Sequence, residues 1–241
     1  KMSHIHFAST QKYKKRIIQL GEASMTVKHV GSLGIDNISK FQAMDKKDFE
    51  NFAGLELNER NIFVTYHPVT LEKGKSTKVF GNLLRALDQL ENTHLFFSMA
   101  NADSEGRAIN KMIEEYVMMN KQKSMYKISF GQENYFSCLK YMDFIVGNSS
   151  SGIIEAPSFG IGTLNIGNRQ LGRIQAKSII NSNESYTGIM KGLNTLISEP
   201  FSRKLRNIKN PYFKKDTLQQ IVNYLKLFDY SKSNIKKFND L

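Results

Sequence analysis

Hydrophobic and polar residues first alternate over Ser3–Ser9 (SHIHFAS), the period-two pattern of an interior strand. Thr10–Leu20 then repeats apolar residues at helical spacing and stops at Gly21, and Thr26–Val30 reads as another short strand. These three elements form a βαβ fragment that is too small to bury a core by itself. Gly31–Glu59 mixes a glycine-rich turn, charges and a weak helix over Lys46–Phe52, and reads as a crossing between domains. From Asn61 the alternation of strand and helix is almost unbroken. Strands are predicted at Asn61–Thr65, His94–Ala100, Tyr126–Phe130, Asp143–Val146 and Thr163–Ile166. Helices are predicted near Lys78–Leu90, Glu105–Asn120, Glu133–Tyr141 and Ser151–Phe159. That order argues for an α/β fold, a Rossmann-type parallel sheet covered on both faces. After Asn210-Pro211 the helical spacing returns over Thr217–Phe228.

The 241 residues allow one large domain or a domain and a fraction, and 40% hydrophobic content is enough for a normal core. No apolar run approaches the length of a membrane span, and the opening residues do not read as a signal peptide. No membrane partner is expected. One cysteine, Cys138, excludes an internal disulfide and fits a reducing cytoplasm. Its setting, YFSCLKYM, is a helix face, so core packing accounts for it.

The net charge of +12 raises the question of nucleic acid. The basic residues are spread out, with small clusters in YKKR, RKLRNIKN and NIKKF, and no aromatic platform or recognition helix accompanies them. A solvated lysine-rich surface is the reading, with no nucleic-acid partner. His4 and His6 share one face of the first strand, but no cysteine or carboxylate stands near them in sequence. They read as structural histidines, and no metal or other cofactor is expected.

The chemistry concentrates in Gly147–Arg173, GNSSSGIIEAPSFGIGTLNIGNRQLGR. Strand, small polar turn, helix and strand place this turn at the C-terminal edge of a parallel sheet, where open α/β sheets bind ligands. The first N–H groups of a helix have no intrahelical partner and attract anions. Ser149, Ser150 and Ser151 add hydroxyl donors, and Gly152 would let a ligand approach the backbone. Glu155, after two isoleucines on a short apolar helix, could accept two hydrogen bonds from a ribose diol. The competing reading makes the serines N-caps and Glu155 a helix-terminus carboxylate. On spacing alone both stay open. His67 precedes Pro68 on a loop at the same edge, where it could meet a phosphate, shuttle a proton near neutral pH or serve only the loop. Asn101 and Asp103 follow the next strand, and Asp103 or Ser104 would cap the helix beyond. Arg169 could pair with phosphate or a sugar carbonyl, or form a surface salt bridge.

GNSSSGIIEAPSFGIGTLNIGNRQ, together with YHPVT (Tyr66–Thr70), resembles the UDP-binding half of the hydrolysing UDP-N-acetylglucosamine 2-epimerases of sialic acid synthesis. The resemblance runs from Lys1 to about Tyr212 and extends to relatives acting on UDP-2,4-diacetamido-trideoxy sugars, in the legionaminic acid pathway. It implies a glycosyltransferase-B-like fold with a remnant of an N-terminal domain over 1–40 and a UDP-binding domain over 41–215. A helical segment over 216–241 would cross back, with Tyr230–Leu241 the candidate stretch. The chain would continue a longer protein, with most acid–base carboxylates upstream of Lys1. The resemblance also implies a homo-oligomer, dimer or tetramer, and a UDP-sugar substrate. Ser149, Ser150, Gly152, Glu155, Asn101 and Arg169 would bind UDP, with His67 and Asp36 catalytic; helix capping is the competing role of Asp36. UDP would leave by elimination across C1 and C2, and water would add to the resulting glycal, with no metal or nicotinamide. An inverting glycosyltransferase of the same fold would bind UDP alike but need an acceptor site. Non-hydrolysing epimerases follow the equivalent histidine with an arginine-rich run, whereas Pro68-Val69-Thr70 stands here.

Overall fold

A computed structural model describes residues 2–69, 74–101, 104–232 and 239. In chain order it contains β1 (His6–Ala8), α1 (Gln11–Gln19), β2 (Val27–His29), α2 (Leu33–Ile38) and α3 (Lys46–Ala53). Next come β3 (Arg60–Thr65), α4 (Ser76–Leu87), β4 (Thr93–Ser98), α5 (Ser104–Met119), β5 (Ser124–Lys127), α6 (Gly131–Tyr141) and β6 (Phe144–Gly147). The remainder is α7 (Ser151–Ile154), β7 (Gly162–Ile166), β8 (Ile179–Ser182), α8 (Tyr186–Leu196), α9 (Glu199–Leu205) and α10 (Thr217–Leu227). The chain forms two compact units, residues 1–40 with 210–241, and residues 41–209.

In the larger unit six parallel strands lie in the order β5-β4-β3-β6-β7-β8. The central strands β3 and β6 carry buried apolar residues on both faces, as a sheet covered by helices requires. Along β3, Ile62 and Val64 join a cluster with Leu83 of α4, Ile109 of α5 and Leu193 of α8. Phe63 points the other way and packs with Phe49 of α3, Leu139 of α6 and Ala156. The period of two thus divides one strand between two cores. Cys138 is fully buried in the second, as a packing residue.

Pairing decides where strands end. Ser98↔Lys127 is the last pair of β4 with β5, so β5 starts and stops earlier than Tyr126–Phe130 predicts, and Ile128 is exposed. The helix expected over Ser151–Phe159 divides into α7 and a 3-10 turn, Ala156–Phe159. Pro157 causes the break: it has no N–H to donate to Ile153, so the α-helical ladder cannot continue.

In the smaller unit β1 pairs parallel with β2 from His6↔Val27 to Ala8↔His29. Thr10 caps α1, its Oγ1 accepting from Tyr13 N–H at 3.1 Å. The chain returns here through Tyr212, whose C=O accepts from Ser32 N–H at 3.0 Å, and α10 packs on α2. His6 Nε2 lies 3.0 Å from Glu22 Oε2. Among the described residues no group of three histidine, cysteine or carboxylate side chains could hold a metal, and no helix is long and apolar enough to cross a membrane. Asp103, Thr70 and most of the segment 230–241 lie outside the described residues.

Candidate functional site

The strand order gives the location. The chain runs outward from β3 through β4 to β5, then returns to the opposite side of β3 with β6. The reversal opens a crevice at the C-terminal ends of β3 and β6, the position at which open α/β sheets take ligands. His67 follows β3 and the serine turn follows β6, so two candidates that stand 82 residues apart, Ser149 and His67, share that crevice edge.

The two strand ends approach unusually closely. A Cβ on Gly147, at φ +140°, would lie 1.9 Å from the carbonyl oxygen of Thr65, so no other residue fits. Asn148, 1% exposed, then pins the neighbouring segments. Its Oδ1 accepts from His67 N–H at 2.8 Å and its Nδ2 donates to His67 C=O at 2.7 Å. Its own carbonyl accepts from Arg169 Nη1 at 3.1 Å and from Gln170 Nε2 at 2.8 Å. One buried asparagine therefore holds together the loops after β3, β6 and β7. The sequence reading missed Asn148 and Gln170; the only local signal was an asparagine after the strand-ending glycine.

Arg169 is thus not a surface salt bridge. It is folded onto the backbone of the turn, and partial burial together with the nearby Arg173 lowers its pKa. Two arginines beside the turn make it a region of positive potential. Ser150, at the start of α7, makes no side-chain cap bond, and Ser149 Oγ accepts from Ser151 N–H at a long 3.4 Å. The serines are not explained as N-caps. A helix of four residues, however, contributes little dipole, so hydroxyl groups and arginines carry the anion-attracting character.

Glu155 sits at the joint between α7 and the 3-10 turn. Its side chain is mostly buried, and Oε2 has no hydrogen-bond partner among the described residues. Burial pushes its pKa up to about 7, against a weaker opposing pull from its own backbone N–H and Arg173. Tyr135 of α6 has a fully buried hydroxyl, also without a partner, whose pKa is raised by burial and then by Glu155. Ser151 Oγ is a third buried polar atom lacking a partner. Desolvating such groups without hydrogen bonds costs free energy, so a cluster of them is poised for a ligand's donors and acceptors. Tyr135 was not legible in sequence, because only the packing of α6 brings it to Glu155.

Three expectations change. Gly152 does not open the backbone to a ligand: a Cβ there would lie 2.7 Å from Thr163 Cγ2 and 3.5 Å from Ile145 Cγ2. Its missing side chain lets α7 seat on the sheet. Asp36 offers no spare carboxylate. It is 5% exposed, its Oδ1 accepts from Thr217 N–H at 3.1 Å, and its Oδ2 accepts from Lys40 at 3.4 Å. The residue caps a helix, but it is α10 rather than its own. Asn101 is exposed one strand away from the crevice, after β4, and it is not drawn into the network around Asn148.

A family model described as UDP-N-acetylglucosamine 2-epimerase matches residues 1–226. The chain belongs to that family. Among epimerase-family relatives it is 37% identical over 241 residues to the polysialic acid biosynthesis protein P7 of Escherichia coli, covering 100% of this chain and 60% of that protein. It is 41% identical over 182 residues to the GDP/UDP-N,N'-diacetylbacillosamine 2-epimerase (hydrolyzing) of Campylobacter jejuni, covering 76% of this chain and 47% of that one. The chain therefore spans about half to three-fifths of the length of these curated relatives. The S. aureus MnaA-UDP co-structure superposes with a TM-score of 0.74 at 17% identity, over 100% of this chain and 63% of that one. That likeness establishes the fold, which is α/β of the glycosyltransferase-B-like type.

Proposed function

We propose that this chain forms the UDP-binding part of a hydrolysing UDP-sugar 2-epimerase, which converts a UDP-2-acetamido sugar to UDP and the free 2-epimer. The observation that carries the proposal is Glu155: a mostly buried carboxylate whose Oε2 has no hydrogen-bond partner among the described residues, beside a polar turn at the sheet's switch point, in a chain of the epimerase family. A ribose diol presents two donors at fixed spacing and would satisfy that carboxylate. The diphosphate would then lie toward Ser149, Ser150 and Arg169, with His67 at the bond that breaks.

In the reaction a base removes the C2 proton, and the C1–O bond breaks with its electron pair leaving on UDP. Water then adds to the glycal, a proton returning to C2 on the opposite face. His67 is held by Asn148 at both its N–H and its C=O, which fixes its backbone at the crevice. From there its ring can donate to the departing diphosphate. Two sugars fit the reading, one with a 4-hydroxyl and one with a 4-acetamido group, and the name of the C. jejuni relative favours testing the second.

The test incubates the full-length protein with UDP-N-acetylglucosamine and, separately, with the UDP-2,4-diacetamido-trideoxy sugar, with no acceptor present. UDP release together with a free 2-epimeric sugar supports the proposal. UDP release only when an acceptor is added would identify a glycosyltransferase instead. Absence of both release and UDP binding would overturn the assignment of the site.

A further inference from the structure

The smaller unit contains a cavity of about 580 Å³ lined by Lys14 of α1, Lys28 and His29 of β2, Lys214 from the segment before α10, and Tyr224 of α10. Among the described residues no acidic side chain lines it. All three lysines are half-buried, and none forms an ion pair among the described residues. Half-buried lysines usually find a carboxylate or turn their ammonium groups to water. Here Lys214 Nζ donates to the carbonyl of His29, and Lys28 Nζ lies 4.9 Å from the centre of the Tyr224 ring. These contacts leave the positive charges without an anion. His29 Nε2 is buried and has no hydrogen-bond partner among the described residues. Its surroundings are electropositive: burial first, then Lys214 and Lys14, lowers the pKa of the ring, with an opposing hydrogen bond to the Ser9 backbone.

We propose that this cavity binds a phosphate group, as inorganic phosphate or as the phosphomonoester of a small metabolite. Three separate ammonium donors suit a tetrahedral dianion, which accepts hydrogen bonds in several directions; a planar carboxylate is better matched by the fork of an arginine. The volume exceeds that of bare phosphate and lies within the range of small-molecule sites, so a sugar-sized body fits against the Tyr224 ring. All lining residues belong to the smaller unit, whereas the proposed UDP site is built from the larger one. The inference therefore does not rest on the epimerase assignment.

The test uses the full chain with saturating UDP present, so that the other site is filled. Inorganic phosphate and glucose 6-phosphate are titrated at constant ionic strength, followed by calorimetry and by backbone amide NMR. Expected is saturable binding of at least one probe, with shifts centred on Lys28–Val30 and Lys214. The Lys14→Gln/Lys214→Gln double variant should weaken it at least tenfold while leaving UDP affinity unchanged. Because removing Lys214 also removes a bond to the His29 carbonyl, Lys14→Gln alone serves as the gentler control, expected to weaken binding at least threefold with an unaltered melting curve. Non-saturable shifts, or equal affinity in wild type and both variants, would overturn the proposal and leave a generally basic surface.

Discussion

Glu155→Gln removes a charge while nearly keeping the shape, so the consequences for folding and for binding can be separated. The folded carboxyl titrates near 7 and the unfolded one near 4.5, so the folded protein holds an extra proton between those values. Stability contributed by this group is greatest below about 4.5 and falls as pH rises through the window to 7. Above the window the ionised, buried carboxylate carries the full penalty, roughly 3 kcal/mol by linkage. Glutamine escapes that penalty but must still bury an amide, which returns part of the gain. The expected net effect at pH 8 is stabilisation of about 1–3 kcal/mol, or about 2–4 °C in Tm per kcal/mol for a chain of this size. At pH 4.5 the gain should vanish.

UDP affinity should move the other way. On the proposed placement of the ribose, an ionised carboxylate accepting from two hydroxyls is replaced by a neutral amide that can accept only through its single oxygen, a loss of roughly 1–3 kcal/mol. Calorimetry with UDP at pH 8 and urea denaturation without ligand at pH 4.5 and pH 8 measure both quantities on one preparation. A variant that is less stable at pH 8 with unchanged UDP affinity would refute the reasoning, because Glu155 would then be an ordinary structural carboxylate.

Three further outcomes can be measured. If the proposed reaction holds, His67→Ala in the full-length protein should lower turnover by roughly 10²–10⁴-fold, read as steady-state UDP release; near-normal turnover in a folded variant would return the histidine to the loop. Asn148→Ala removes both bonds to the His67 backbone, and should cost about 2–4 kcal/mol of stability in urea denaturation as well as weaken UDP binding. Unchanged affinity in a folded Asn148→Ala protein would mean that the loops need no such clamp. Asp36→Ala should cost about 1–3 kcal/mol, because the buried Thr217 N–H loses its acceptor, and should leave UDP affinity alone. Full stability with lost turnover would restore the catalytic reading.

The larger sheet was legible in sequence because its strands are buried on both faces. Runs such as Ile62-Phe63-Val64 and Phe144-Ile145-Val146 are apolar without interruption, and only a parallel sheet covered by helices asks for that. Residues 174–209 carry no comparable signal. β8 has only four residues at the sheet edge, one of them exposed. The following helix, α8, contains Gly188 and Gly192, which weaken its local preference. Packing requires at least the second: a Cβ on Gly192 would lie 2.3 Å from Leu164 Cδ1. Tertiary contact thus selected residues that obscure the element, and no reading by spacing can recover such a trade.

The same limit applies within the site. The chemistry-bearing residues were visible because serines and a glutamate in an apolar helix, or a histidine before proline, break the local pattern. Two asparagines that local spacing does not single out hold the backbone beyond two of the strand ends. Asn148 bonds both the N–H and the C=O of His67, and Asn110 of α5 does the same for Ala100, at 2.7 and 3.2 Å. In each case the residue lies just past the end of a strand, where the sheet ladder no longer satisfies its peptide groups. A side-chain amide supplies one donor and one acceptor, which is what a single residue's backbone lacks when its strand ends. The device satisfies those peptide groups at the sheet edge without adding a strand. One asparagine acts across 81 residues of sequence and the other across 10, and this distance explains why the clamp shows only in three dimensions.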